Sequence, residues 1–126
     1  MTPQGVTFDS AVLVALERRK QHAWDVFRRL QERAVPVSVP APVLGEWWRG
    51  RTDVRDAIRQ AVIIEPLSEM IACLAGEALA HVKRATTIDA FVMASAALRG
   101  DVVFTGDVDD LEKLRAFFPG VRVLSI

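Results

Sequence analysis

The sequence predicts a three-layer α/β domain: a parallel sheet of roughly five short strands, covered by helices on both faces. Three observations predict it. Short β-branched or aromatic runs recur along the chain and alternate with longer segments of helical apolar spacing. One of them, Val102-Val103-Phe104, is apolar throughout, of the kind that fills the middle of a sheet. The 126 residues, 51% hydrophobic and 25% charged, have the length and composition of one globular domain.

Val6-Thr7-Phe8 is the first predicted strand and ends at Asp9. Residues 10–20 follow as a helix with Val12, Leu13 and Leu16 on one face. Residues 22–34 read as a second helix, with Trp24, Phe27 and Leu30 inward and Arg28, Arg29 and Arg33 outward. Residues 36–40 form a short strand bracketed by prolines, which favour an extended backbone on entry and a helix start near Pro42. That helix carries Val43, Leu44, Glu46, Trp47 and Trp48 and stops at Arg49-Gly50. Residues 53–60 give a short charged helix and residues 62–64 the third strand.

Ser68 opens the longest amphipathic helix, whose inward face is Ile71, Leu74, Ala75, Ala78, Leu79 and Val82. Thr86 or Thr87 caps the next helix, which has Ile88, Phe91, Val92, Ala94, Ser95 and Leu98 at apolar spacing. Arg99-Gly100 supplies its basic last turn and glycine stop. Val102-Val103-Phe104 is a buried-type strand that runs into the acidic loop Thr105-Gly106-Asp107-Val108-Asp109-Asp110. A helix over about 109–118, a Pro119-Gly120 turn and a strand at 121–124 complete the chain. Without repeats or linkers, residues 1–126 are expected to form a single domain.

Composition excludes several classes of function. Sixteen basic residues balance sixteen acidic ones, so general charge-driven binding of nucleic acid is not expected and any such binding needs a local patch. Cys73 is the sole cysteine, which rules out an internal disulfide. One thiol and two histidines do not make a structural zinc site without carboxylates. The first residues lack a basic region followed by an apolar stretch, and no apolar run approaches the ~20 residues that span a bilayer. A cytoplasmic protein without a membrane segment is the expectation.

The acids hold the functional signal. Asp9 and Asp107 each follow a buried-type strand, Glu46 follows another by a few residues, and Asp89 starts a helix that leads into the core. Singly, each has a bland role: Asp9 as a helix cap, Glu46 as a solvated side chain, Asp89 in a Thr86-x-x-Asp89 capping pattern, and Asp107, Asp109 and Asp110 as acids at a helix start. Together they should converge on the C-terminal edge of a parallel sheet, where open α/β proteins bind ligands. Crowded carboxylates repel one another. A hard divalent cation with oxygen ligands, Mg²⁺ or Mn²⁺, relieves that repulsion and suits hydrolysis of a phosphodiester. Arg49 and Arg51, near these acids, are candidates for holding substrate phosphates. Of Trp47 and Trp48, about 100° apart on a helix, at least one is expected in the core and the other is free to stack on a base or meet a partner.

With these residues in place, the chain resembles PIN-domain proteins, and specifically the VapC-like toxins of type II toxin–antitoxin pairs. The resemblance rests on Phe8-Asp9-Ser10, on Glu46, on Thr87-Ile88-Asp89-Ala90 opening an alanine-rich helix, and on Thr105-Gly106-Asp107 followed by Asp110. It covers nearly the whole chain. It implies that Asp9, Glu46, Asp89 and Asp107 form a catalytic, metal-binding centre, with Asp110 or its neighbour Asp109 as a further metal-binding acid and Ser10 and Thr105 as supporting hydroxyls. It also implies a Mg²⁺- or Mn²⁺-dependent endoribonuclease that forms a homodimer and is restrained by a small cognate antitoxin occupying the acidic groove. The alternative is a catalytically silent PIN-like adaptor. A phosphoacceptor receiver domain wants an acidic pair after the first strand and a lysine after the last, whereas Ser10 follows Asp9 and no lysine lies beyond Lys113. An aspartyl-phosphate phosphatase wants an aspartate where Ala11 stands.

Overall fold

A computed structural model of the protein describes residues 4–126. Its five strands form one wholly parallel sheet in the order β3-β2-β1-β4-β5. In chain order the elements are β1 (Val6–Phe8), α1 (Ser10–Glu17), α2 (Gln21–Glu32), β2 (Val37–Pro40), α3 (Ala41–Trp47), α4 (Asp53–Gln60) and β3 (Ile63–Glu65). They continue with α5 (Glu69–His81), α6 (Thr87–Arg99), β4 (Val102–Thr105), α7 (Val108–Glu112), a 3₁₀ turn (Lys113–Ala116) and β5 (Val123–Ser125). The expected α/β class, with its parallel sheet between helical layers, is borne out.

Side chains alternate across the sheet, so neighbouring residues of β1 face opposite layers. Phe8 packs edge-on against Phe27 of α2 at 5.8 Å and against Phe104 of β4 at 6.2 Å. Thr7 points the other way, towards α6, where its hydroxyl receives a hydrogen bond from Arg99 at 2.9 Å. Both faces of the sheet are covered: Phe8, Val12, Leu16 and Val39 on one side and Val92, Met93 and Ala94 of α6 are fully buried. Each fully buried large apolar side chain contributes roughly 1.5–3 kcal/mol relative to its exposed state.

Several element ends differ from expectation, each for a local reason. The helix expected over residues 10–20 stops at Glu17 because the chain turns through Arg19 in a left-handed conformation, with φ 57°. The helix expected through Phe118 gives way after Glu112 to a 3₁₀ turn. The third strand lies at the sheet's edge, leaving Ile63 49% exposed where a buried strand was expected. Leu98, which belongs to the apolar spacing of its helix, is 48% exposed. The stop at Gly100 holds: it closes α6 in the left-handed region at φ 73°, which glycine adopts without steric cost.

Under α6 lies a buried polar network that the sequence did not suggest. Asp101, 5% exposed, accepts from the Thr7 hydroxyl at 2.8 Å and from Arg99 Nε at 3.0 Å. Arg99 also donates to the Ser95 hydroxyl at 2.6 Å and stands 3.9 Å from Glu65. Gly5 gives this cluster room, since a Cβ there would lie 2.5 Å from Asp101 Oδ1.

Candidate active site

β1 has β2 on one side and β4 on the other, so strand order reverses at the β1–β4 pair. Connections leaving the C-terminal ends of these two strands diverge, and a crevice opens between them. Asp9 follows β1 into that crevice and Thr105-Gly106-Asp107 carries β4 into it.

Asp9 is only 8% exposed. Its Oδ1 accepts the Val12 backbone N–H at 3.2 Å, capping α1, and its Oδ2 accepts the hydroxyl of Thr105. The Thr105 oxygen in turn accepts the Asp107 backbone N–H at 2.9 Å. One fully buried hydroxyl therefore fixes the first acid and the turn that carries the last. Gly106 permits this approach: a Cβ there would come within 2.7 Å of the Ala11 methyl on α1. Burial pushes the Asp9 carboxyl above its ordinary range; the bonds from Thr105 and Val12 oppose this, and the charge of Asp89 adds to it.

Asp89 stands in the first turn of α6, where its backbone N–H donates to the Thr86 hydroxyl at 3.1 Å. Its carboxyl is raised first by burial and then by the charges of Asp110, Glu46 and Asp107, against the lowering effect of Thr86. Acids from α3 and from the start of α7 thus act electrically on one carboxyl of α6. Asp107 caps α7, accepting the Asp110 backbone N–H at 3.4 Å. Asp110 goes the other way in charge: hydrogen bonding to Asp107, then the bond and charge of Lys113, hold it below the usual carboxylate range.

The acids converge without closing. Among the described residues no three histidine, cysteine, aspartate or glutamate side chains are grouped so as to hold one metal ion. The hydrogen bonds explain why: both oxygens of Asp9 are engaged, Asp110 turns towards Lys113 at 3.2 Å, and Glu46 faces solvent. The donor set nevertheless fits a hard cation. It consists of carboxylate oxygens alone, and Asp89 is surrounded by like charge that a divalent cation would neutralise.

Of the remaining predicted residues, Ser10 begins α1, half-buried beside Asp9. Asp109 is exposed on α7. Arg49 folds back onto its own helix, donating to the carbonyls of Trp48 at 3.0 Å and Gly45 at 3.3 Å, and Arg51 pairs with Asp56 at 3.3 Å. Trp47 is in the core at 4% exposure, edge-on to Trp48 at 6.0 Å. Trp48 is half-buried and carries the Arg59 guanidinium over its ring at 6.0 Å. A groove of about 440 Å³ between α2 and α4, lined by Arg19, Trp24, Arg28, Asp53 and Val54, contains none of the candidate site acids. Sequence reasoning missed Lys113 and the closeness of Gly106 to α1. The three-residue spacing of Lys113 from Asp110 could have shown the first, whereas the second requires the fold.

A parallel sheet whose switch-point edge carries Asp9, Asp89 and Asp107 defines an acid-edged α/β domain. The family model of the PIN domain matches residues 6–116, and the chain belongs to the PIN-domain family. No curated protein matches it in sequence. Its fold is similar to a chain of the DNA-bound VapBC complex from Salmonella typhimurium, with 16% identity, 98% of each chain covered and a TM-score of 0.73. It is also similar to a chain of VapBC2 from Rickettsia felis bound to a promoter DNA fragment, with 11% identity, 96% of this chain and 98% of that one covered, and a TM-score of 0.77. A chain of a toxin–antitoxin complex from Klebsiella pneumoniae gives 17% identity, coverage of 95% and 96%, and a TM-score of 0.67.

Proposed function

We propose that this protein is a Mg²⁺- or Mn²⁺-dependent endoribonuclease, the toxin of a toxin–antitoxin pair. The single observation that carries the reading is the linkage of Asp9, Thr105 and Asp107 across β1 and β4, with Asp89 feeling the charge of the facing acids. Membership of the PIN-domain family supports it. The Klebsiella pneumoniae complex, one chain of which shares this fold, is named a toxin–antitoxin complex, which supports a small antitoxin as partner.

Asp9, Glu46, Asp89 and Asp107 would hold the cation, with Asp110 as a further ligand. When bound, the cation supplies positive charge at the scissile phosphate and lowers the pKa of the attacking water. The chain's own residues do the positioning. Thr105 and the Val12 N–H hold the Asp9 carboxylate against rotation, and Thr86 fixes the start of α6 and with it Asp89. Water adds to phosphorus as the 3′-oxygen leaves, giving a 5′-phosphate and a 3′-hydroxyl. The whole chain acts as one PIN domain and works as a homodimer in the cytoplasm, restrained by an antitoxin that covers the acidic edge. No described helix is long and apolar enough to cross a membrane.

A second reading, a catalytically silent adaptor, draws on the acids that converge without closing. Incubating the purified protein with total cellular RNA separates the two. The nuclease cuts with Mg²⁺ or Mn²⁺ and stops in excess chelator. RNA left intact under both conditions, by protein that binds it, would favour the adaptor.

A further inference from the structure

An acidic edge repels a polyanion, and a chain of zero net charge offers no general attraction to overcome this. The RNA backbone therefore needs a local cation beside the acids. Lys113 is placed to be that cation. It lies one turn beyond Asp110, where α7 becomes the 3₁₀ turn, with Nζ 3.2 Å from Asp110 Oδ1. Among the described residues, no other cation forms an ion pair with Asp9, Glu46, Asp89, Asp107 or Asp110.

Three other basic groups are engaged elsewhere. Arg49 is folded onto helix carbonyls and Arg51 is paired with Asp56. Arg99 is tied into the network under α6. The Lys113 side chain is 43% exposed, its pair with Asp110 is a surface contact between residues three apart, and such pairs are weak in water. Its flexible four-carbon stem lets the ammonium swing to a stronger anion without moving the backbone.

We propose that Lys113 is a positioning residue that grips a phosphate of the RNA chain at the acidic edge, and that Asp110 holds its ammonium there until RNA arrives. The inference rests on the ribonuclease reading and adds a substrate contact to it.

The test is binding of a fluorescein-labelled single-stranded RNA, followed by anisotropy across a salt series in excess chelator. Wild-type protein is compared with Lys113→Gln, Lys113→Arg and Lys20→Gln. The last removes the same charge from the N-cap of α2. Lys113→Gln is expected to weaken binding about 5- to 10-fold and to flatten the slope of log affinity against log salt by about 0.7, the share of one phosphate contact on a single strand. Lys113→Arg is expected to retain the slope, and Lys20→Gln to leave it unchanged.

Unchanged affinity and slope in Lys113→Gln would overturn the proposal. So would an equal loss in Lys20→Gln, or a wild-type protein that binds no RNA at any salt. Failure of the nuclease reading looks different: Lys113-dependent binding with no cleavage in Mg²⁺ or Mn²⁺ would support the contact and sink the activity.

Discussion

The hydroxyl of Thr105, at the end of β4, donates to the carboxylate of Asp9, at the end of β1. The two residues are 96 positions apart in the chain, yet this bond joins both arms of the switch-point crevice. Thr105 is fully buried and Asp9 nearly so, so water does not replace the bond when it is lost.

Thr105→Val therefore removes the partner of a buried carboxylate oxygen and of the Asp107 N–H. The expected cost is roughly 1–3 kcal/mol, read as a lower denaturation midpoint. Because Thr105 lowers the Asp9 pKa, the acid limb of the RNA-cleavage profile moves to higher pH. Thr105→Ser keeps the donor and should behave close to wild type. A Val variant with wild-type stability and profile would show that the bond holds nothing in place.

Asp89 gives the fold a pH dependence of definite sign. Its folded pKa is raised by burial and by neighbouring acids, so the folded chain holds this proton to a higher pH than the unfolded chain does. The stability tied to that proton is complete below the ordinary aspartate value of about 3.9 and is lost as pH rises through the raised value. Asp89→Asn does not ionise. In chelator, its melting temperature should match wild type in acid and rise above it towards neutral pH. A gap that stays constant across that window would contradict the burial and repulsion assigned to Asp89.

Gly106→Ala places a methyl 2.7 Å from the Ala11 methyl on α1. Neither group is the end of a flexible side chain, so helix and turn must part. About 1–3 kcal/mol of destabilisation is expected, together with reduced cleavage because Asp107 moves with the turn. Ala11→Gly in the same chain makes room. A thermal melt should recover part of the loss, less the ~1 kcal/mol that glycine costs in a helix. A double variant no better than Gly106→Ala would point to another cause.

Arg99→Met tests whether the network under α6 is purely structural. It leaves Asp101 buried without its cation, at an expected cost of about 3 kcal/mol. Arg99 closes the end of α6 opposite Asp89, so the folded fraction should cleave RNA with an unchanged kcat. A stable variant with impaired kcat would connect the network to the acids.

Local features were legible in the sequence because their causes are local. The glycine stop at Gly100 and the Asp53–Gln60 helix follow from capping residues and apolar spacing and appear where expected, and of the two threonines expected to cap α6 it is Thr86 that does so. The strand order β3-β2-β1-β4-β5 was not legible, since nothing local distinguishes the central β1 from the edge strand β3. The same division applies to the site. Acids after strands and at helix starts could be found one at a time, and the fold brings them to one edge. The bond that joins Asp9 to Thr105 and the turn of Asp110 towards Lys113 depend on side-chain directions that residue order does not encode. Trp47 and Trp48 show the limit within one helix: adjacency guaranteed different faces, and only packing decided that Trp47 is the buried one.

The central claim, that the acidic edge cuts RNA, is tested most directly by Asp9→Asn and Asp89→Asn. Each is assayed beside wild type on the same RNA in Mg²⁺, with folding followed by circular dichroism. Each folded variant is expected to lose cleavage by at least ~10²-fold, and the double variant to be little worse than either, because residues acting as one unit are not additive. Folded single variants that cut at the wild-type rate would place the chemistry elsewhere and contradict the account.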